Sequence, residues 1–550
     1  DVIRNLLIDA DENLWITLDK TGIERYHLPT GTVARPVTTN YNAIGHHIRV
    51  AIDWDDRYLL LGTFNGLALL DKHTLAIVPV PSNLGEKGGL SHYSVYHLFK
   101  DRQQTLWVGT YSGGINYHNR YNNRFEWITA KQFSGVFRKG GEDRNGKLWF
   151  ATEGGGLLYY DPQTGEQKNY LLRSGNSVYY NNLIKTLLIS GDSIFCTTFG
   201  GRVYSFSPRT EKFRLLYDFK YNDIYSLYQD SKGRLWIPTN TKSGLVVADG
   251  SSVTGYFKID GQQRKFMSAS VVQELSENRF LIGTWNNGFY LYSPGEEKAV
   301  HFANRELGVP LHEKIYVSAF YVDSGKDIWV STNGHGLWRF DAGLNLKKHY
   351  TAEDGMTDRQ VYYTTQDKQG YYWVMTCHEL YHLDKEGEVI GRFNARNGIE
   401  LQEFSIFSGL TTGNGKLYLS GMNGFQCIDP LELRHNTEKP PVLLTSLYIN
   451  NREITPQTAH SPLTKKLQQT RKLVLNYNQT NISIGYTALN YIYPEQNQYA
   501  YKLEGADTEW NYVKNRREAF YSNLPPGSYR FKVVASNNDG VWNDEGTSLQ

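Results

Sequence analysis

The residues of this chain best suited to binding chemistry are aromatic side chains that stand beside polar ones in Gly-rich turns. Trp285 is followed by Asn286 and Asn287. An indole gives the C–H side of a sugar ring a flat apolar face, and carboxamides give its hydroxyls planar donors and acceptors. The competing reading is that Trp285 packs on a neighbouring loop. Tyr111, Tyr179 and Tyr180 are further aromatic candidates for ligand binding, and His335 and His378 occupy equivalent turns of neighbouring repeats. Arg264, Lys265 and Arg359 are placed to meet an acidic sugar. Histidines in such turns are more often solvated or turn-bonded, and charged residues in links are usually solvated.

No catalytic residue, metal or cofactor is predicted. His46–His47 is the one adjacent histidine pair, and no further histidine or carboxylate lies at helical spacing to complete a ligand set, so it reads as surface loop. Glu296–Glu297 and Asp55–Asp56 fall in turns, where acidic residues serve solubility and turn bonding. Glycoside hydrolysis needs two carboxyls facing each other across a cleft, which adjacency in sequence does not provide. The chain has no G-x-S-x-G, no H-E-x-x-H and no phosphate-cradling G-K-[ST] motif.

The 58 basic and 56 acidic residues leave a formal charge of +2, which argues against a nucleic-acid partner and for a neutral or weakly charged ligand. With 51 glycines and 40 tyrosines among 550 residues, the composition is that of an all-β protein of several domains. Cys196, Cys377 and Cys427 lie far apart in or beside apolar strand patterns and read as buried small hydrophobes rather than a disulfide framework. No run of 18 apolar residues is present, and Asp1–Asp9 lacks the basic-then-apolar pattern of a signal peptide.

What must position the candidate residues is a repeat. An apolar strand, a D-x-x-G-like turn, an L-W-x-G-T-like strand, a Gly-rich turn and G-L-x-x-Y-D recur, most plainly in KDRQQTLWVGTYSGGINYHNR at 100, EDRNGKLWFATEGGGLLYYD at 142 and VDSGKDIWVSTNGHGLWRFD at 322. Ten copies are marked by Trp15, Leu60, Trp107, Trp149, Phe195, Trp236, Leu281, Trp329, Trp373 and Tyr418, about 45 residues apart, the period of a four-stranded propeller blade. One such sheet cannot bury both faces alone, so the blades stack around an axis with the repeated Trp packed between neighbours. Seven copies make a complete ring over residues 134–437. The three copies in residues 1–133 read as the end of an incomplete N-terminal β-propeller. In each blade the turn between second and third strands shares a face with the link to the next blade, and that face is where a ligand is expected.

The pattern stops near Pro440–Pro441, and residues 438–550 read as a β-sandwich of the immunoglobulin or fibronectin kind. Within it, YAYKLEGADTEW, YSNLPPGSY and ASNNDGVW, with Tyr499, Tyr501, Trp510, Tyr521 and Tyr529, resemble the Y-Y-Y domain. Propeller repeats followed by such a domain resemble the periplasmic sensor of hybrid two-component systems, with which glycan-degrading gut bacteria detect oligosaccharides. The resemblance implies two seven-bladed propellers, an oligosaccharide ligand, a homodimer, and a periplasmic location with tethering to the inner membrane through a C-terminal helix. It also implies cytoplasmic histidine kinase and regulator modules beyond this region, which itself is not an enzyme. A propeller glycoside hydrolase or polysaccharide lyase is the alternative reading, and a protein-binding scaffold the second.

Overall fold

The D-x-x-G-like turn is where six of the blades are secured. In the computed structural model, which describes residues 1–36, 47–82, 84, 89–119, 121, 125–131, 134–172, 182–220, 224–239, 244–395, 399 and 404–550, the turn aspartate does two things at once. One oxygen of Asp143 accepts the backbone N–H groups of Asn145 and Lys147, and the other accepts the indole N–H of Trp149 at 3.0 Å. The same indole bond joins Asp9 to Trp15, Asp101 to Trp107, Asp230 to Trp236, Asp323 to Trp329 and Asp367 to Trp373, at 2.7–3.0 Å. A buried carboxylate is tolerable only when several donors replace its water, and here the hairpin and the tryptophan supply them. The tryptophan so fixed packs against the next sheet: Trp236 stacks on Phe280 at 4.4 Å, and Trp329 meets Tyr372 at 4.5 Å.

The chain forms two units, one of residues 123–433 and the other of residues 1–122 with 434–550. Among the described residues the first unit holds seven four-stranded antiparallel sheets, each a blade, besides a two-stranded hairpin, Phe257–Ile259 with Gln262–Arg264. The innermost strands are Phe137–Glu142, Ile184–Ser190, Tyr228–Gln229, Ala269–Ser276, Tyr316–Val322, Val361–Gln366 and Phe404–Thr411. Each touches the next, and the seventh touches the first, so the array is a closed β-propeller. Its seventh blade takes its outer strand, Glu126–Thr129, from ahead of the first repeat of the ring, paired with Gly424–Ile428. Closure by the far end of the chain removes the exposed edge that an open array would leave.

Among the described residues the other unit holds two four-stranded blades and a three-stranded one, opening with Ile3–Ile8, Ile48–Asp53 and Val95–Lys100, together with a sandwich of two four-stranded sheets. Tyr486, Tyr499, Tyr501 and Phe531 fill the sandwich core. The Tyr521 hydroxyl donates to Asp507 at 2.6 Å, and that of Tyr529 to the Pro525 carbonyl at 2.9 Å. The N-N-D-G-V-W stretch binds the linker. Asn537 donates to the carbonyls of Asn436 and Glu438 and accepts from the amides of Asp539 and Val541. The third blade also touches the sandwich, Trp107 meeting Tyr491 edge to face at 5.2 Å.

Asp323 also accepts the Tyr372 hydroxyl of the next blade at 2.9 Å. Asp323→Ala therefore strands three buried donors, the Asp327 amide, the Trp329 indole and the Tyr372 hydroxyl, and is expected to cost about 1–3 kcal/mol of unfolding free energy in denaturant titration. Asp192→Ala, in an exposed turn of a repeat with Phe195 in place of Trp, is expected to change it by less than about 0.5 kcal/mol.

A pH dependence follows from the same contact. Burial pushes the Asp9 and Asp230 carboxyls up, but the hydrogen bonds from Trp15 and Trp236 and from their turns outweigh it, holding both below the ordinary carboxylate value. A depressed folded-state pKa stabilises above the unfolded value of about 3.9 and is lost as pH falls through the folded value. Denaturant midpoints are expected to hold above that pH and to fall steeply below it.

Candidate ligand-binding face

The end of each blade opposite the aspartate turn is built by two local devices. The threonine that closes the second strand donates its hydroxyl to a carbonyl across the following turn: Thr152 to Gly156, Thr284 to Gly288 and Thr332 to Gly336, at 2.7–2.8 Å. Gly156 and Gly288 lie in the left-handed region, and a Cβ there would come within 2.2 Å of the Tyr170 carbonyl oxygen and 2.1 Å of that of Phe302. The turn is thereby pressed against the fourth strand, and its leading side chain, Glu153 or Trp285, is held in place.

The second device is a β-bulge at the entry of the innermost strand. Register shifts separate Phe137 from Gly140, Ile184 from Thr186, Ala269 from Val271, Val317 from Ala319 and Val361 from Tyr363. A bulge turns the extra side chain out of the ladder. In two blades that residue is serine and joins the ring together: Ser270 donates to the Val317 carbonyl and Ser318 to that of Val361, each in the next blade. In two others it is basic.

Those basic residues, Arg138 and Lys185, converge on one carboxylate. Arg138 reaches Glu153 at 2.8 Å through Nε and 2.7 Å through Nη2, Lys185 reaches it at 3.0 Å, and Arg138 Nη1 also donates to Ser405 Oγ at 3.0 Å. Burial pushes Glu153 up, but the two cations outweigh it and hold the group below its ordinary value. Two cations share one anion, so this cluster carries a net positive charge. Lys185 Nζ lies 5.5 Å from the Tyr225 ring.

Tyr225 in turn meets Trp285 at 5.4 Å, edge to face, and Trp285 stacks on Tyr316 at 4.4 Å with 19° between planes. Phe407 closes the group, 6.3 Å from Trp285 and 6.4 Å from Tyr316. Its φ of +63° is unfavourable for a bulky residue and lies within the long irregularity between Phe404 and Gly409. The buried Tyr316 hydroxyl has no hydrogen-bond partner among the described residues, and burial pushes its pKa up. The seven-bladed ring thus brings together four aromatic rings, one with an orphaned hydroxyl, and three charged groups, from six of its blades.

Of the residues singled out in the sequence, Trp285 belongs to this cluster. Its indole N–H donates to the Ala269 carbonyl at 3.1 Å, so its binding capacity lies in its ring rather than its donor. Asn286 and Asn287 are exposed beside it. His335 and His378 occupy turns at the same end of other blades. His335 lies 3.1 Å from the Lys314 carbonyl oxygen and 3.4 Å from Glu313, while His378 is exposed beside Asp358. Arg359 is exposed, and its carbonyl receives the amides of Gly334 and Gly336. Arg264 ends the exposed second strand of the two-stranded hairpin. Tyr111 lies in the other unit, and Tyr179 and Tyr180 lie outside the described residues. Sequence reasoning missed Arg138, Lys185, Tyr225, Tyr316 and Phe407. The available signal was the residue after the apolar opening of each first strand, in F-R-K-G, I-K-T-L and I-Y-S-L, which varies in chemistry while its neighbours keep the repeat.

The family model described as Y_Y_Y domain matches residues 490–550, and that of the two component regulator propeller matches residues 89–112 and 218–240. Histidine kinase P4 of Formosa agariphila is 25% identical over 486 residues, covering 84% of this chain and 31% of that protein. The chain thus spans about a third of the length of that relative. The extracellular domain of a hybrid two component system from B. thetaiotaomicron superposes with a TM-score of 0.70 at 20% identity, over 100% of this chain and 84% of the other. A second such domain from that organism gives a TM-score of 0.47 at 21% identity, over 100% of this chain and 80% of the other. Among the described residues no helix is long and apolar enough to cross a membrane.

Removing the shared anion leaves two half-buried cations facing each other. Glu153→Gln is expected to destabilise the chain by about 1–3 kcal/mol. A double-mutant cycle with Lys185→Met is expected to give a coupling of about 1 kcal/mol, read from denaturant titrations of the four proteins.

Proposed function

We propose that this chain, which carries two component regulator propeller repeats ending in a Y_Y_Y domain, is the extracytoplasmic sensor region of a hybrid two-component histidine kinase. In this reading it binds an oligosaccharide at the candidate face of the seven-bladed propeller and signals across the inner membrane to control polysaccharide-utilisation genes. It acts as a periplasmic homodimer, and catalysis belongs to the cytoplasmic part of the full protein.

The observation that supports the reading most is the pairing of the Trp285–Tyr316 stack with the Arg138–Glu153–Lys185 cluster through Tyr225. The aromatic rings suit the C–H face of a sugar, and the fixed polar groups suit its hydroxyls. Signalling then requires the ligand to favour one of two arrangements of the protomers by its differential affinity for them.

The test is calorimetric titration of the purified chain with host and plant oligosaccharides, each mixture being checked afterwards for cleavage. Micromolar binding without products is expected, weakened at least about tenfold by Trp285→Ala. Cleavage products would move the assignment to a hydrolase or lyase. Binding indifferent to Trp285→Ala would contradict the assignment of the site.

A further inference from the structure

The bulge that places Arg138 and Lys185 recurs in the blades of the other unit, where it places Arg4, Arg49 and Tyr96. Arg4 is paired with Asp19 at 3.0 Å. Arg49 is held differently. Its guanidinium carbon lies 3.7 Å from the centroid of Phe64 and 3.9 Å from that of Tyr96, between the two rings, and its Nη1 donates to Ser94 Oγ at 3.0 Å. Among the described residues no carboxylate lies within ion-pairing distance of it.

The protein provides its own comparison. Arg339 also stacks between two aromatic residues, Trp329 at 4.8 Å and Tyr372 at 5.4 Å, but Asp327 neutralises it at 2.8 Å. Arg339 is stacked with a counter-ion, whereas Arg49 is stacked and oriented with no carboxylate at its guanidinium among the described residues. Beside it the ring series continues outward, with Tyr96 on Tyr111 at 5.5 Å and 21°, and Tyr111 6.3 Å from His92. Tyr111 is 67% exposed and Tyr96 50%. An oriented guanidinium loses little entropy when it takes an anion, and an adjoining exposed ring provides the apolar half of a sugar contact.

We infer that Arg49, Tyr96 and Tyr111 form a second saccharide subsite, selective for a sugar unit that bears an anionic substituent. The anion lies on the guanidinium and the ring C–H face lies on Tyr111. This rests on the oligosaccharide reading above and deepens it by naming a ligand class and a location separate from Trp285.

Calorimetry of the whole chain with tetragalacturonate (carboxylate only), κ-carrageenan tetrasaccharide (sulfate only) and cellotetraose (neutral) tests it. At least one acidic tetramer is expected to bind. Arg49→Gln should weaken it at least about tenfold, Arg49→Lys should restore part of that loss, and Tyr111→Ala should weaken it several-fold. Thermal midpoints of the variants within about 2 °C of the parent establish that they fold. Carboxylate-only or sulfate-only binding identifies the anion, and both patterns support the subsite. Acidic binding that depends on Trp285 but is untouched by Arg49→Gln removes this subsite and leaves the oligosaccharide reading standing, as does binding of cellotetraose alone. Failure of every saccharide removes both readings, and saccharide binding insensitive to Trp285→Ala and Arg49→Gln alike removes both sites while leaving the oligosaccharide reading standing.

Discussion

A carboxylate that accepts an indole N–H and the amides of its own turn is the contact on which the rest of the structure depends. It closes the hairpin between the first two strands of six blades and orients the tryptophan that spaces each from its neighbour. Hydrogen bonds to a charged group contribute about 1.5–3 kcal/mol each, so a few of these turns weigh heavily in a fold whose net stability is about 5–15 kcal/mol. Copies marked by Leu60, Phe195, Leu281 and Tyr418 lack the indole donor and are carried by their neighbours, as quasi-repetitive arrays allow.

Securing one end of most blades frees the other. There the threonine-capped turn and the bulge at the strand entry hold the backbone in one shape while leaving the bulged side chain free to differ. Serine at that position makes a tie to the next blade, and arginine, lysine or tyrosine instead builds a cluster of charge and aromatic surface. One geometric position therefore serves cohesion in some blades and, in the proposed reading, recognition in others. The ring unites the second kind because its blades converge on a common axis.

Much of this is legible in the sequence. The ten repeats, the turn aspartates and glycines and the inter-blade role of the tryptophans follow from spacing and residue type, because each is a property of a single copy. What spans copies is not. The outer strand of the seventh blade comes from residues 126–129, which carry no repeat signature and pair with a partner some three hundred residues away. The contacts of Trp285 with Tyr225, Tyr316 and Phe407 likewise join four blades. Departure from the turn consensus drew attention to Trp285, but only closure of the ring reveals what surrounds it. His335 and His378 stood out by the same criterion and make local contacts with Lys314, Glu313 and Asp358 instead.

In the proposed reading the two ends of a blade divide the work, one locked for stability and the other open for a ligand. Hydrogen–deuterium exchange of the chain with and without a saturating oligosaccharide tests it most directly. New protection is expected at the strand entries around 137–139 and 184–186 and the turns at 153–156 and 285–288, with the aspartate turns at 143–146, 230–233 and 367–370 unchanged. Protection centred on the aspartate turns, with none at the strand entries, would contradict it.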